Sequence, residues 1–172
     1  TVLEGTDDKT LEAGPGHYKD TALPGQPGNF AVAGHRVGKG SPFNDLDLLR
    51  SCDRIIAETA NGWYVYRVLP VNGTPDADSE RCASSLPART GDYAGLSGRD
   101  IVLPTNTGVI SPVPGKPNST TATGQQLPLI TLTTCHPPFS ARQRMIIHGV
   151  LEKEIPKDPA KPDERPAELS GA

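Results

Sequence analysis

The sequence predicts a mostly β protein, an antiparallel barrel or sandwich, on three observations. It carries 18 Gly and 18 Pro with only 5% aromatic and 35% apolar residues, which suits short strands joined by turns rather than long helices. Its β-rich runs are short and bounded by turn residues. No helix of crossover length separates them, which argues against a parallel βαβ architecture. A length of 172 residues accommodates one domain and a tail.

The elements follow in chain order. Thr1 to Gly5 reads as a strand already under way, with no methionine ahead of it, so a chain trimmed at its front is expected. Residues 10 to 28 are rich in Gly and Pro and run into the apolar stretch Phe30 to Ala33, a loop followed by a strand that ends near His35. Ser41 to Leu49 has polar caps, early acidic residues and apolar spacing of a two-turn helix. Asp53 to Thr59 and Trp63 to Leu69 flank Asn61-Gly62, the strongest hairpin signal in the chain. From Pro70 to Arg99 the pattern dissolves into a long excursion carrying Cys82. Strands are expected at Asp100 to Pro104 and Thr107 to Ile110, then a polar loop from Pro112 to Gln126. Leu129 to Thr134 and Met145 to Leu151 are the last strands. Pro156, Pro159, Pro162 and Pro166 among alternating charges make residues 152 to 172 a disordered tail, leaving residues 1 to 151 as the folded domain with 70 to 99 as an inserted loop.

The formal charge is -3 at pH 7, and four Lys/Arg against six Asp/Glu in residues 152 to 172 account for -2 of it. The body therefore has no basic surface, and nucleic acid is excluded as a partner. No run approaches the roughly 18 apolar residues of a membrane span. Three cysteines are an odd number, which in an oxidising compartment leaves one unpaired. Cys135 is the candidate for that free thiol.

The chemistry concentrates around that residue. Thr131-Leu132-Thr133-Thr134-Cys135 is a strand ending in a cysteine, Arg144 follows nine residues later at the head of an apolar run, and His35 closes an earlier strand. A thiol of ordinary pKa, about 8.5, is only a few per cent ionised at neutral pH, so a cysteine nucleophile needs a neighbouring base or cation. His35 could supply it. A guanidinium fork suits the oxyanion that forms when a carbonyl is attacked. Taken singly, Cys135 also reads as a buried strand residue, His35 as a loop histidine and Arg144 as a surface charge. Arg142 competes with Arg144, because residues two apart on a strand share a face. His136 competes with His35 by proximity but points away from its neighbour. His17 and His148 read as structural. Cys135 and His136 lack the second ligand pair a zinc site requires.

These residues resemble a known family. Thr131 to Cys135 is similar to the TLxTC signature of sortases, the cell-surface cysteine transpeptidases of Gram-positive bacteria, and Thr131 to Gly149 looks most like class E sortases. Ala33-Gly34-His35-Arg36, Pro42-Phe43, Leu46, Ile101 to Pro104 and Val109-Ile110 align in the same order, over about residues 12 to 151. The resemblance implies a closed eight-stranded β-barrel with one or two short helices, its first strand and membrane anchor lying ahead of residue 1. It implies His35, Cys135 and Arg144 as catalytic residues and Thr133, Thr134 and His136 as substrate-binding ones. It also implies cleavage between Thr and Gly in a sorting signal like Leu-Ala-x-Thr-Gly or Leu-Pro-x-Thr-Gly. The acceptor would be an amine of a peptidoglycan precursor or a pilin lysine.

The chain departs from the family pattern at its front, where the family's first strand and anchor precede residue 1, and again in its body. The 70 to 99 excursion is longer than the corresponding connection in relatives, and Cys52 stands where many have glycine. Together they suggest a disulfide between Cys52 and Cys82. No metal or organic cofactor is called for, and a monomer is expected. The competing functions are an L,D-transpeptidase, which would place its histidine and cysteine together in a Ser-His-Gly-Cys context where this chain has Thr134-Cys135-His136, and a non-catalytic extracellular β-rich binding module with Cys135 merely buried.

Overall fold

The computed structural model describes residues 1–38 and 40–171. The β-rich runs form eight strands: β1 (Leu3–Glu4), β2 (Gly16–His17), β3 (Gly28–Ala33), β4 (Arg54–Glu58), β5 (Gly62–Val68), β6 (Arg99–Val102), β7 (Pro128–His136) and β8 (Gln143–Pro156). They make one curled sheet in the order β1-β2-β3-β7-β8-β5-β4, with β6 paired to the first half of β8. A cleft of about 840 Å³ lies between the β1 and β4 ends of that path, reaching Phe30, Val32 and Leu132. β3 and β7 run parallel, whereas the composition had pointed to antiparallel pairing throughout. A parallel pair needs a long crossover, and here the chain supplies it as the β4–β5 hairpin and the excursion.

Alternation divides the sheet into two packed faces. Phe30, Val32, Tyr66, Val68, Ile130, Leu132, Met145 and Ile147 pack inside the curl. Leu129 and Val150 point the other way and are covered by Leu69 just after β5, Tyr93 from the excursion and Val113 from the later polar loop. Both faces of β7 and β8 are thus dry, which accounts for a buried run from Leu129 to Thr134. Polar groups on the second face must find partners there. Thr131 donates to Asn29 Oδ1 at 2.6 Å and receives Nδ1–H of His148 at 2.8 Å, while Asn29 Nδ2 donates to the carbonyls of Val109 and Ser111.

The Asn61-Gly62 turn does join β4 to β5, with Glu58 opposite Trp63 and the Thr59 hydroxyl accepting from both turn amides. Four other elements differ from the sequence reading. Ser41 to Leu49 forms only a 3-10 turn at Leu46–Leu48, because Ser41 sits at φ +43° and Asp45 makes no side-chain cap. Thr107–Ile110 is a 3-10 turn rather than a strand; Asn29 satisfies carbonyls that a ladder would otherwise have paired. An unforeseen helix, α1 (Asp8–Ala13), starts where the Asp7 carboxylate accepts from the Thr10 amide. Finally, β8 continues past residue 151 to Pro156 by pairing with Gly62 to Val65. Beyond it Lys157 and Arg165 lie over the Trp63 ring at 5.0 and 5.9 Å, and Glu168 pairs with Lys153. Cation–π contacts and an ion pair thus hold a segment whose composition alone promised no core.

The excursion is anchored by a disulfide between Cys52 and Cys82, with Cα atoms 5.8 Å apart. Cys52 has φ +72°, in the left-handed region that glycine enters without cost. Bridging residues 30 apart in sequence restricts the unfolded chain enough to contribute about 3 to 4 kcal/mol. A C52A/C82A variant is therefore expected to lose about that much in urea unfolding; an unchanged midpoint would show that the bridge does not stabilise the fold.

Burial pushes His148 down from 6.5 to about 4. The unfolded chain accepts a proton at about pH 6.5 that the folded chain refuses, so stability falls as pH drops from about 6.5 to about 4, by about 3 kcal/mol. Urea midpoints at pH 7.5 and 4.5 should separate more for the wild type than for His148→Gln. Equal separations would refute this assignment.

Candidate active site

The site is assembled by strand register. The parallel pairing of β3 and β7 aligns Gly28 with Pro128 and, five residues on, Ala33 with Thr133. The Gly34 amide donates to the Thr133 carbonyl at 3.1 Å. Continuing that register sets His35 level with Cys135. On its other side β7 meets β8 antiparallel, with Cys135 directly opposite Arg144, and β6 brings Val102 opposite Arg144. Directly opposed side chains in a sheet share a face, with Cβ atoms roughly 4.5–5.5 Å apart. A thiol and a guanidinium are therefore carried in one row on adjacent strands, and His35 leaves β3 two residues past its last ladder pair, on the chain beside Cys135.

Local packing fixes the row. The His35 carbonyl accepts the Phe43 amide at 3.1 Å, and the Phe43 ring lies so close to Gly34 that a Cβ there would come within 2.7 Å of it. Only glycine permits that approach. Cys135 is a free, half-buried cysteine. Arg144 is also half-buried and donates from Nη1 to the carbonyls of Ala141 and Gln143, each at 3.1 Å. Its competitor Arg142 lies outside β8 in the exposed turn, where its amide donates to Ser140 Oγ.

The flanking threonines and His136 divide between the two faces. Thr133 shares the face of Cys135, is buried, and its hydroxyl lies 2.8 Å from that of Tyr18. Thr134 and His136 point to the other face. There the Thr134 hydroxyl donates to the Gly34 carbonyl at 2.8 Å, and His136 Nδ1 accepts from Arg36 Nη1 at 3.0 Å. Arg36, 4% exposed, also pairs with Asp47 at 3.2 Å. Tyr18 and Arg36 were missed in the sequence. Tyr18 sits in a turn-rich loop and meets a partner 115 residues away; Arg36 stood beside His35, but nothing local marks a buried guanidinium. His17 is buried, with Nδ1 2.8 Å from Glu4 Oε2, remote from Cys135 along the sheet. Among the described residues no group of three or more His, Cys, Asp or Glu is disposed to hold a metal ion.

Chemically, a thiol, an imidazole and a guanidinium on neighbouring strand ends are residue types suited to acyl transfer through a thioester. A sequence model of the sortase domain matches residues 1–152. Sortase SrtE1 of Streptomyces coelicolor is 34% identical over 169 residues, covering 94% of this chain and 39% of its own length. Sortase SrtE2 of the same organism is 32% identical over 156 residues, 87% of this chain and 49% of its own. This chain thus spans less than half of either curated relative. Among solved structures, the SrtF sortase from Corynebacterium diphtheriae is 45% identical with a TM-score of 0.86, covering 98% of this chain and 83% of that one. A domain match over most of the chain, relatives that share its sequence along nearly its whole length and a common fold together make this chain a member of the sortase family.

Proposed function

We propose that the protein is a cysteine transpeptidase that cuts a sorting signal between Thr and Gly and transfers the new carboxyl end to an amine. The observation that carries the reading is the register: Cys135 directly opposes Arg144, and the β3–β7 pairing runs up to the two residues before His35 and Cys135. In the first half-reaction the Cys135 sulfur attacks the threonine carbonyl carbon. Arg144 stabilises the oxyanion, the carbon–nitrogen bond breaks, and His35 gives its proton to the departing glycine amine. A thioester on Cys135 remains. In the second half an incoming amine attacks that carbonyl, His35 takes its proton, and the sulfur leaves as thiolate. The reading assigns Thr133, on the face of Cys135, to the wall beside the bound signal.

Sortases act on sorting-signal substrates and amine acceptors at the cell surface. For this chain the reading names a signal of the Leu-Ala-x-Thr-Gly or Leu-Pro-x-Thr-Gly kind, and a peptidoglycan-precursor amine or a pilin lysine as acceptor. No helix among the described residues is long and apolar enough to cross a membrane. The proposed location is the outer face of the plasma membrane, held by a segment ahead of residue 1.

Mass spectrometry of the protein incubated with such a peptide should reveal an adduct on Cys135 ending at threonine. Absence of any adduct with both Ala- and Pro-containing signals would overturn the reading. Arg144→Ala should lower kcat/KM by about 10²-fold or more, the loss typical of one oxyanion donor, while Arg142→Ala stays within about threefold. The reverse pattern would transfer the role to Arg142.

A further inference from the structure

Behind the row that carries Cys135, on the opposite face of the same strand ends, lies a second set of contacts that the acyl-transfer chemistry does not use. The β3–β7 ladder closes with the bond from the Gly34 amide to the Thr133 carbonyl. After that the His35 carbonyl turns to Phe43. Two side-chain bonds bridge the chains at the next levels. Thr134 donates to the Gly34 carbonyl, one residue before His35 and Cys135, and Arg36 donates to His136 Nδ1, one residue after them. The pair is bracketed.

We propose that Arg36 is a positioning residue, clamping the exit of β3 to that of β7 through His136 and thereby setting where His35 stands relative to Cys135. A guanidinium only donates hydrogen bonds, so His136 Nδ1 accepts and the ring proton sits on Nε2. At 4% exposure the Arg36 charge has almost no water, and Asp47 at 3.2 Å balances it. Burying a charge in this way is weak support for stability and is tolerated where it fixes one arrangement. The anchor at Asp47 is itself held: Arg99, at the start of β6, donates to the backbone carbonyls of Asp47 and Leu49. Since β6 also carries Val102 opposite Arg144, the contacts run from the β6 flank through the Leu46–Leu48 turn to the residue after Cys135. Geometry of this kind matters to rate because a displacement of about 1 Å in a reacting pair can cost up to 10²-fold.

The inference rests on the transpeptidase reading, and its test separates the two. The variants are His136→Leu, which cannot accept from Arg36, His136→Gln, whose Oε1 can, and Asp47→Asn, compared where all are fully folded by near-ultraviolet circular dichroism. His136→Leu should lower the single-turnover rate of thioester formation on a sorting-signal peptide by about tenfold to 10²-fold with KM within about twofold. His136→Gln should recover to within about threefold of the wild type, and Asp47→Asn should fall between. The rate at which methyl methanethiosulfonate labels Cys135 at pH 7 should follow the same order, since an imidazole held beside a thiol promotes its ionisation. Equal rates for His136→Leu and His136→Gln overturn the proposal, whether both match the wild type or both fall. Should the wild type form no thioester with any signal peptide, the transpeptidase reading fails, and the labelling series alone decides the clamp by the same criterion. Should His136→Leu not fold, Asp47→Asn decides it, and wild-type rates there overturn it.

Discussion

The pairing of β3 with β7 is the constraint on which the rest of this molecule depends. It is parallel, so it cannot be closed by a turn, and everything between Gly34 and Leu127 is the connection that makes it possible. Residues a hundred positions apart are held in one register for six steps, and a slip of one would turn Cys135 to the opposite face. Burial prevents that slip. Ile130 and Leu132 face the curl while Leu129 and Thr131 face the covered side, so either displacement would drive apolar groups against the Asn29–Thr131–His148 contacts and polar groups into the apolar cluster.

That dry environment explains which polar residues the sheet tolerates. His148 is fully enclosed and neutral, and its ring nitrogen completes a chain from Thr131 to Asn29 that ends on two loop carbonyls. Tyr66, likewise buried and pushed up to about 12, accepts the Gly25 amide. Both serve the fold. The proposed catalytic residues, by contrast, lie where the strands run out and burial drops: Cys135, Arg144 and His35 are all half-buried. A nucleophile must meet a substrate, and the end of a rigid sheet offers access together with fixed placement.

The inserted excursion and the C-terminal segment show how covalent and electrostatic ties replace core volume. The Cys52–Cys82 bridge fastens the excursion beside β5, and Tyr93, Leu86 and Leu96 from it cover the outer face. Past β8, Trp63 gathers Lys157 and Arg165. The composition of residues 152 to 172 suggests disorder because it counts prolines and charges; a buried tryptophan on β5 and a lysine on β8 give that segment something to hold.

Periodicity and turn chemistry in the sequence were sufficient for the β class, the Asn61-Gly62 hairpin and the strand leading to Cys135, because these depend on residues close together in the chain. Short helical segments were less legible: a capping aspartate made α1 out of residues that looked like loop, and a positive φ at Ser41 stopped a helix that looked sound. Only the tertiary structure decided that Arg144 rather than Arg142 stands opposite Cys135, and that Tyr18, Arg36 and Asp47 lie near that row. The reason is physical. Local preferences act over a few residues, whereas a parallel register joins positions a hundred apart, and no local preference encodes which side chains that register will bring together.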